Sequence, residues 1–504
     1  MTFDFQNSYT SLPEQFYRSV QPTPVTKPSL FALNKTLASE LHLDVDELVS
    51  TNGAQIFSGN EVPGGAFPLA MAYAGHQFGQ WVPQLGDGRA VLLGEVKDIH
   101  GQLQDIQLKG AGRTPFSRGG DGRAWIGPVI REYVVSEAMH NLGVPTTRAL
   151  AAVSTGEAVL RESGPLPGAV LTRVASSHLR VGTFEYFAHR NDQSSLSALV
   201  DFALSRHSED TSGDTDTSNP PALRLLSQTV KRQAALIAHW QSIGFIHGVM
   251  NTDNSSIAGI TIDYGPCAFM DNYSAEKVFS SIDIQGRYAY QNQPRIGHWN
   301  MASLAQALLP LIDENQERAV ELAQAAVNEF PDLYIDAYLK RMRPKLGLNS
   351  IAPSSISSEN DLKLIHSLLQ MMDTSACDFT NSFRQLSMTL TNQAARQDWI
   401  ALFDDPQAIS DWMSQWGSRV SEEDLANQDT SCLQERMNNA NPAIIARNHR
   451  IEEAIVAATE QDDFAPFHAL NSALQTPFMA NPKYAHLAQA PTAENAVTQT
   501  FCGT

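Results

Sequence analysis

Cysteine is scarce in this chain: four in 504 residues, and none of Cys267, Cys377, Cys432 and Cys502 stands in a C-x-x-C spacing. That excludes a disulfide framework or a cysteine zinc site as the organising element. Positive charge is short as well, with 35 Lys and Arg against 54 Asp and Glu, a net charge of −19. Such a balance opposes a phosphate backbone, so nucleic acid is not an expected partner. No apolar run approaches the ~20 residues that span a bilayer, so no membrane partner is expected either. Residues 1–17 are polar and acidic and lack the basic-then-apolar order of a signal peptide. The expectation left standing is a soluble, cytoplasmic protein of open oligomeric state. What is present is ordinary for a globular chain, 42% hydrophobic and 8% aromatic residues. The length predicts two or three packed units.

Periodicity divides the chain. Residues 1–65 carry Pro22, Pro24 and Pro28 and a short helical pattern over Asn34–Leu43, which predicts an extension wrapped on a domain. Strand signals follow at Ala90–Val96, Leu103–Lys109, Ala149–Ser154, Ala158–Arg161 and Ala169–Val174. One helix interrupts them, Pro128–Leu142, with Val129, Ile130, Tyr133, Val134 and Ala138 near one face. Beyond about residue 177 the pattern is helical, over Asp192–Ser205, Pro221–Ile243, Met301–Leu311, Glu314–Glu329 and Leu362–Met372. The Ser/Asp/Thr-rich stretch His207–Pro221 reads as a solvated insertion, and Ile257–Ile262 as a short strand. The result is an α+β chain with an extension over 1–65, a β-rich lobe over 66–176, a helical lobe over 177–345 and a helical extension over 346–504. A β-rich lobe followed by a helical lobe is the bilobal order of a protein-kinase-like fold.

The chemistry concentrates in His247-Gly-Val-Met-Asn-Thr-Asp253-Asn254, followed by Asp263-Tyr-Gly265. Protein kinases run H-R-D-x-x-x-x-N and then D-F-G, where the first Asp takes the hydroxyl proton and the Asn and second Asp hold metal. On that frame Asn254 and Asp263 fall on the metal ligands, for Mg²⁺ or Mn²⁺ by their hard oxygen donors. Val249 stands at the base position and cannot take a proton. Asp253, beside Asn254, is placed to do so instead. The bland alternative is that Asp253-Asn254 only caps a turn. Lys109 ends a strand and Glu132 lies on the next helix, the order in which a kinase-type lysine meets its orienting glutamate. Gly86-Asp87-Gly88-Arg89 precedes a strand, where two glycines let backbone approach a phosphate; alone it is a turn. Lys109-Gly-Ala-Gly-Arg113 through Arg118-Gly-Gly-Asp121-Gly122-Arg123 is a cationic glycine loop, with three arginines suited to anions. Arg173 and Arg180 flank the junction of the lobes, and spacing alone gives them little weight.

Together these strings resemble the selenoprotein O family of kinase-like protein adenylyltransferases. The resemblance rests on Tyr73-Ala-Gly-His-Gln-Phe-Gly79, Gln84 to Ala90, Gln107 to Arg118, Asp121-Gly-Arg123, His247 to Pro266, Gln285-Gly-Arg-Tyr288 and Asn292-Gln-Pro294. Gln21-Pro-Thr-Pro-Val25 begins it, so it covers almost the whole chain. It implies a nucleotide bound flipped relative to kinases, so that AMP from ATP passes to Ser, Thr or Tyr hydroxyls of protein partners. It implies ATP contacts from Gly86, Gly88, Arg89, Lys109, Asp121, Gly122, Arg173, Arg180 and Asp263, with Glu132 positioning Lys109. It likewise implies Asp253 as proton acceptor and Asn254 and Asp263 as metal ligands. Many members carry a cysteine or selenocysteine near the C-terminus that pairs with a cysteine after the metal loop. Cys502 fits the first part, but no cysteine lies between Asp271 and Arg287, and Cys267 suits a small buried hydrophobe better. UMP transfer from UTP with Mn²⁺, an ordinary protein kinase and a non-catalytic nucleotide-binding scaffold stay open at this level.

Overall fold

A computed structural model describes residues 3–207, 218–349, 351–352, 354–423 and 430–501. The chain is a mixed α/β protein whose sheets are antiparallel. Its first 65 residues supply strands β1 (Tyr17–Ser19) and β2 (Ser29–Leu33) and helices α1 (Lys35–Glu40), α2 (Val45–Leu48) and α3 (Thr51–Ser58). Asn34, Asp44 and Ser50 cap these three helices, each side chain accepting a backbone N–H of the first turn. Next come β3 (Leu69–Met71), the small hairpin β4 (Gly75–Gln77) and β5 (Gln80–Val82), then β6 (Ala90–Lys97) and β7 (Leu103–Lys109). Two residues, β8 (Ala124–Trp125), lead into α4 (Ile126–Asn141), and β9 (Arg148–Arg161) and β10 (Gly164–Ala175) follow.

The main sheet runs β1-β3-β6-β7-β10-β9-β2, with β8 paired to β10. Both ends of that order come from the N-terminal segment, which is hydrogen-bonded into the sheet as well as laid over it. Strand alternation sends Val91, Leu93, Val153 and Val170 into a cluster with Leu37, Leu48 and Phe57 on one face. Leu92, Ala152, Ala169 and Leu171 pack on the other face in the cluster of Val129, Ile130 and Val134 of α4. A sheet buried on both faces explains why these strands read as apolar runs rather than as alternation.

Helices then take over: α5 (Val181–His189), α6 (Gln193–Arg206), α7 (Pro221–Ser242), α8 (Gln293–Ile312), α9 (Gln316–Asn328) and α10 (Phe330–Lys345). Between α7 and α8 the two-residue strands β11 (Phe245–Ile246) and β12 (Ala268–Phe269) pair antiparallel and bracket the loop that carries the His247–Gly265 motif. A further helical group holds Trp399, Trp412 and Trp416 in its own core. The helix Asn448–Gln461 returns to pack on α4.

Local expectations are corrected in two places. Ala149–Ser154 and Ala158–Arg161 are one strand, β9, because β10 pairs with both segments and takes up residues 155–157 in a register shift between Pro167 and Ala169. Residues 257–262 are a turn at 257–258 and irregular backbone beyond it, bridged singly at Ser256 to Arg180 and at Thr261 to Thr146, with no strand ladder among the described residues. The solvated insertion expected over His207–Pro221 falls mostly on 208–217, outside the described residues. Among the described residues no helix is long and apolar enough to cross a membrane.

Candidate active site

The loop between β11 and β12 is pinned from within. Buried His247 donates from Nε2 to the Ile262 carbonyl at 2.9 Å and accepts the Val249 N–H on Nδ1 at 3.4 Å. That pattern fixes one neutral tautomer, and burial lowers the ring's pKa to match. His247 is therefore a brace for the loop. Gln293 at the start of α8 accepts the His247 N–H at 3.0 Å and donates to the Phe245 carbonyl at 2.9 Å, closing the frame.

On this frame Thr252–Asn254 make one turn of 3-10 helix. Asn254 donates its side-chain amide to the Val249 carbonyl at 3.0 Å, which leaves its amide oxygen as an acceptor. Asp253 is buried; its Oδ2 accepts from Gln77 Nε2 at 3.1 Å, and its Oδ1 has no hydrogen-bond partner among the described residues. Burial dominates its electrostatics and raises its pKa to about 6, against the opposing pull of the Gln77 amide and the Arg180 guanidinium. Val249 lines the same cleft as an apolar wall.

Asp263 is the opposite case. Its Oδ1 accepts from Lys109 Nζ at 2.7 Å and Arg173 Nη1 at 2.7 Å, and its Oδ2 from Arg180 Nη1 at 3.4 Å. Burial alone would raise its pKa, but Lys109, Arg173 and Arg180 outweigh it and hold the carboxyl well below the usual range. Its φ of 64° is in the left-handed region, a strained setting for a residue with a Cβ. Those ion pairs hold it there. Glu132 of α4 takes Lys109 at 2.6 Å and Arg173 at 3.3 Å, so it positions two cations rather than one.

A cleft of about 580 Å³ gathers these groups. Lys109, Arg173, Arg180, Asp253, Asn254 and Asp263 line it, as do Gly86, Gly88, Arg89, Asp121 and Gly122. Glu132 lies behind, reached through Lys109 and Arg173. Gly86 has φ 111°, and a Cβ there would meet Phe116 at 2.4 Å, so only glycine suits this wall. Asp121 stands at the rim, partly exposed, accepting from Arg161 Nη1 at 2.8 Å and the Arg123 N–H at 2.9 Å. It makes no hydrogen bond to the Lys109–Asp263 cluster. Of the three loop arginines read as anion contacts, Arg118 and Arg123 line the cleft. Arg113 folds back on the Gly120 carbonyl at 2.9 Å, and Arg123 ties to the carbonyls of Thr23 and Pro24, both at 3.0 Å.

Several supporting residues carried no role in the sequence reading. Gln77 holds Asp253. Gln107 accepts from Arg173 Nη2 at 2.6 Å and donates to Asp87 at 3.2 Å, and Asp87 also takes the Met71 N–H at 3.1 Å. Tyr73 lies under the Arg180 guanidinium at 4.4 Å. Arg161, distant in sequence, reaches the rim at the end of β9. All but Arg161 sit inside or beside the strings Tyr73–Gly79, Gln84–Ala90 and Gln107–Arg118, so position, not residue type, was the available signal.

The chemistry of such a site is specific. Three cations and a glycine-lined wall suit an anionic polyphosphate. The oxygens of Asn254 and Asp263 suit a hard divalent cation, and the partnerless Oδ1 of Asp253 lies beside them in sequence. Among the described residues no cluster of three or more His, Cys, Asp and Glu forms a self-sufficient metal cage. A cation here would share its shell with the phosphates it neutralises, as Mg²⁺ commonly does.

The family model described as "Protein adenylyltransferase SelO" matches residues 1–475. The chain belongs to the SelO family. It is 53% identical over 502 residues to the protein nucleotidyltransferase YdiU of Rhizobium meliloti, covering 100% of this chain and 99% of that one. It is 52% identical over 500 residues to the protein of the same name from Geobacillus kaustophilus, covering 99% of each. SelO membership makes the protein a nucleotidyltransferase, and the cleft above is its candidate active site. Cys502, the residue matched by resemblance to the family's C-terminal cysteine or selenocysteine, lies outside the described residues. Cys267 is buried, and burial pushes its thiol pKa up to about 12, which suits a packed hydrophobe and not a reactive thiol.

Proposed function

We propose that the protein transfers AMP from ATP to Ser, Thr or Tyr hydroxyls of other proteins, releasing pyrophosphate, in a bilobal kinase-like cleft. The observation that carries this is the division of labour between the two carboxylates. Asp263 is locked in its ionised form among three cations, whereas Asp253 is dry, poised near neutrality and has an open oxygen.

In the proposed reaction the acceptor oxygen attacks the α-phosphorus and the bond to the α–β bridging oxygen breaks. The hydroxyl proton goes to Asp253, and pyrophosphate leaves. Lys109, Arg173 and Arg180, with Glu132 and Gln107 behind them, take the charge of the leaving phosphates. That accords with a nucleotide flipped so that its terminal phosphates are buried. Gly86, Gly88 and Arg89 line the wall, and Asp121 and Gly122 the rim. Asn254 and Asp263 would hold Mg²⁺ or Mn²⁺, whose chemistry here is neutralisation of phosphate oxygens. An ordinary kinase is disfavoured by Val249, and an inert scaffold by the intact ligand pair.

The test is incubation with ATP labelled separately at the α and γ phosphates, with a cell lysate as acceptor and UTP run in parallel. Protein label from the α position alone, absent in Asp253→Ala, is the expected result. Label from γ alone would make the protein a kinase. Label from UTP in preference would replace AMP by UMP.

A further inference from the structure

The turn that carries Asp253 is held from behind by a closed ring of three hydrogen bonds that touches neither nucleotide wall nor metal ligand. His76 of β4 donates its backbone N–H to Thr252 Oγ1 at 2.7 Å. Thr252 donates its hydroxyl to Glu185 Oε2 of α5 at 2.5 Å. Glu185 Oε1 accepts from His76 Nδ1 at 2.7 Å, which closes the ring. Three separate elements, the β4–β5 hairpin, α5 and the 3-10 turn, meet in it. Thr252 and Glu185 are buried, whereas His76 is partly exposed.

The same hairpin reaches over the other side of the turn. Gln77 grips the Asp253 carboxylate, and the Phe78 N–H and the Tyr288 hydroxyl both donate to Asn251 Oδ1, at 3.0 and 2.6 Å. The fit is tight at Gly75, where a Cβ would stand 3.0 Å from the Asp253 side chain. His76 and Glu185 line a separate cavity of about 320 Å³ with Trp81, His189, Ser303 and Gln306, and neither lines the cleft. They therefore lie outside the wall proposed to hold the nucleotide.

We infer that Glu185, His76 and Thr252 are positioning residues that set the angle of Asp253 toward the acceptor hydroxyl. This rests on the reading of Asp253 as proton acceptor. A carboxylate with one amide partner and one open oxygen has little of its own to fix it. The hydroxyl one residue earlier, bonded on both sides, supplies the missing constraint. Hydrogen bonds that orient metal ligands from behind change activity by roughly 10- to 100-fold when removed, and a proton acceptor held in the same way should respond on that scale.

The experiment uses two substitution pairs in the full chain, each scored for folding by thermal melt, for ATP binding and for AMP-transfer rate. Thr252→Val keeps the shape and loses the hydroxyl; Thr252→Ser keeps the hydroxyl and loses a methyl. Glu185→Ala removes both acceptors; Glu185→Gln keeps one for Thr252. We expect Thr252→Val and Glu185→Ala to lose transfer about 10- to 100-fold with ATP binding unchanged. Thr252→Ser and Glu185→Gln should stay within a few-fold of wild type. A Val variant as active as the Ser variant, or a parallel loss of ATP binding, overturns the inference by making the site a matter of packing. If a disruptive variant does not fold, the conservative partner decides: a folded, ATP-binding Thr252→Ser without transfer also overturns it. Asp253→Ala runs alongside. Wild-type transfer by that variant would refute the reading of Asp253 itself, whereas an inactive Asp253→Ala beside a fully active Thr252→Val would refute only the positioning role.

Discussion

Two aspartates ten residues apart face one cleft in opposite electrostatic settings. Asp263 sits among Lys109, Arg173 and Arg180 and stays ionised through the whole physiological range. Asp253 has an amide on one oxygen and nothing on the other, and burial brings its pKa to about 6. The difference teaches what each can do. A carboxylate that never protonates is a ligand and a charge anchor. One that titrates near neutrality can take a proton at moderate cost. On the proposed reading, a kinase-like loop with Val249 at the usual base position keeps its base function in the neighbouring turn, where the Asp253 carboxyl titrates near neutrality.

The largest expected effect comes from erasing the anchor. Asp263→Asn should abolish AMP transfer and also lower stability, by about 3 kcal/mol, because buried Arg173 and Arg180 and half-buried Lys109 lose the counter-charge they share. Denaturant unfolding checks the second part, and polyphosphate should restore more stability to this variant than to wild type. Asp253→Asn should reduce transfer by about 10²- to 10⁴-fold, the usual share of a general base. Its stability should move the other way. A carboxyl whose pKa is raised on folding destabilises the native state once pH climbs through that raised value. Removing it should therefore gain about 3 kcal/mol at pH 8 and less than about 1 kcal/mol at pH 4. Equal stability losses in both variants would break the comparison.

The pH profile follows with a smaller effect. Transfer should fall about tenfold per pH unit below about pH 6, as Asp253 protonates, while Asp263 stays ionised. An acid limb near the ordinary carboxylate value would contradict the burial argument. The smallest effect is expected from Gln77→Ala, a several-fold loss of rate. Because the Gln77 amide favours the ionised form, the acid limb should also move to higher pH.

Much of this was legible in the chain. The strands β6 and β7, the helix α4 and the loop motif announced themselves by period and spacing, and Lys109, Glu132, Asn254 and Asp263 by their order along it. What escaped were contacts that no spacing encodes. The N-terminal segment read as a wrap, since three prolines hide two strands that pair only with β3 and β9, far along the chain. Residues 257–262 read as a short strand between the two loops, although among the described residues they make only a single bridge, Thr261 to Thr146. Arg173 and Arg180 carried little weight by spacing and drew their expected role from the resemblance alone, whereas the fold sets both guanidiniums on one carboxylate. Gln77, Gln107 and Glu185 are common residue types whose bonds to Asp253, Arg173 and Thr252 reach across 66 to 176 residues of sequence.

The most direct test of the division between the two aspartates is cation-dependent ATP affinity, measured by calorimetry on Asp253→Asn and Asp263→Asn. Asp253→Asn should bind ATP with Mg²⁺ or Mn²⁺ as wild type does while transferring almost nothing. Asp263→Asn should lose the cation dependence of binding. If Asp253→Asn instead lost that dependence and Asp263→Asn kept it, the assignment of base and ligand would be reversed.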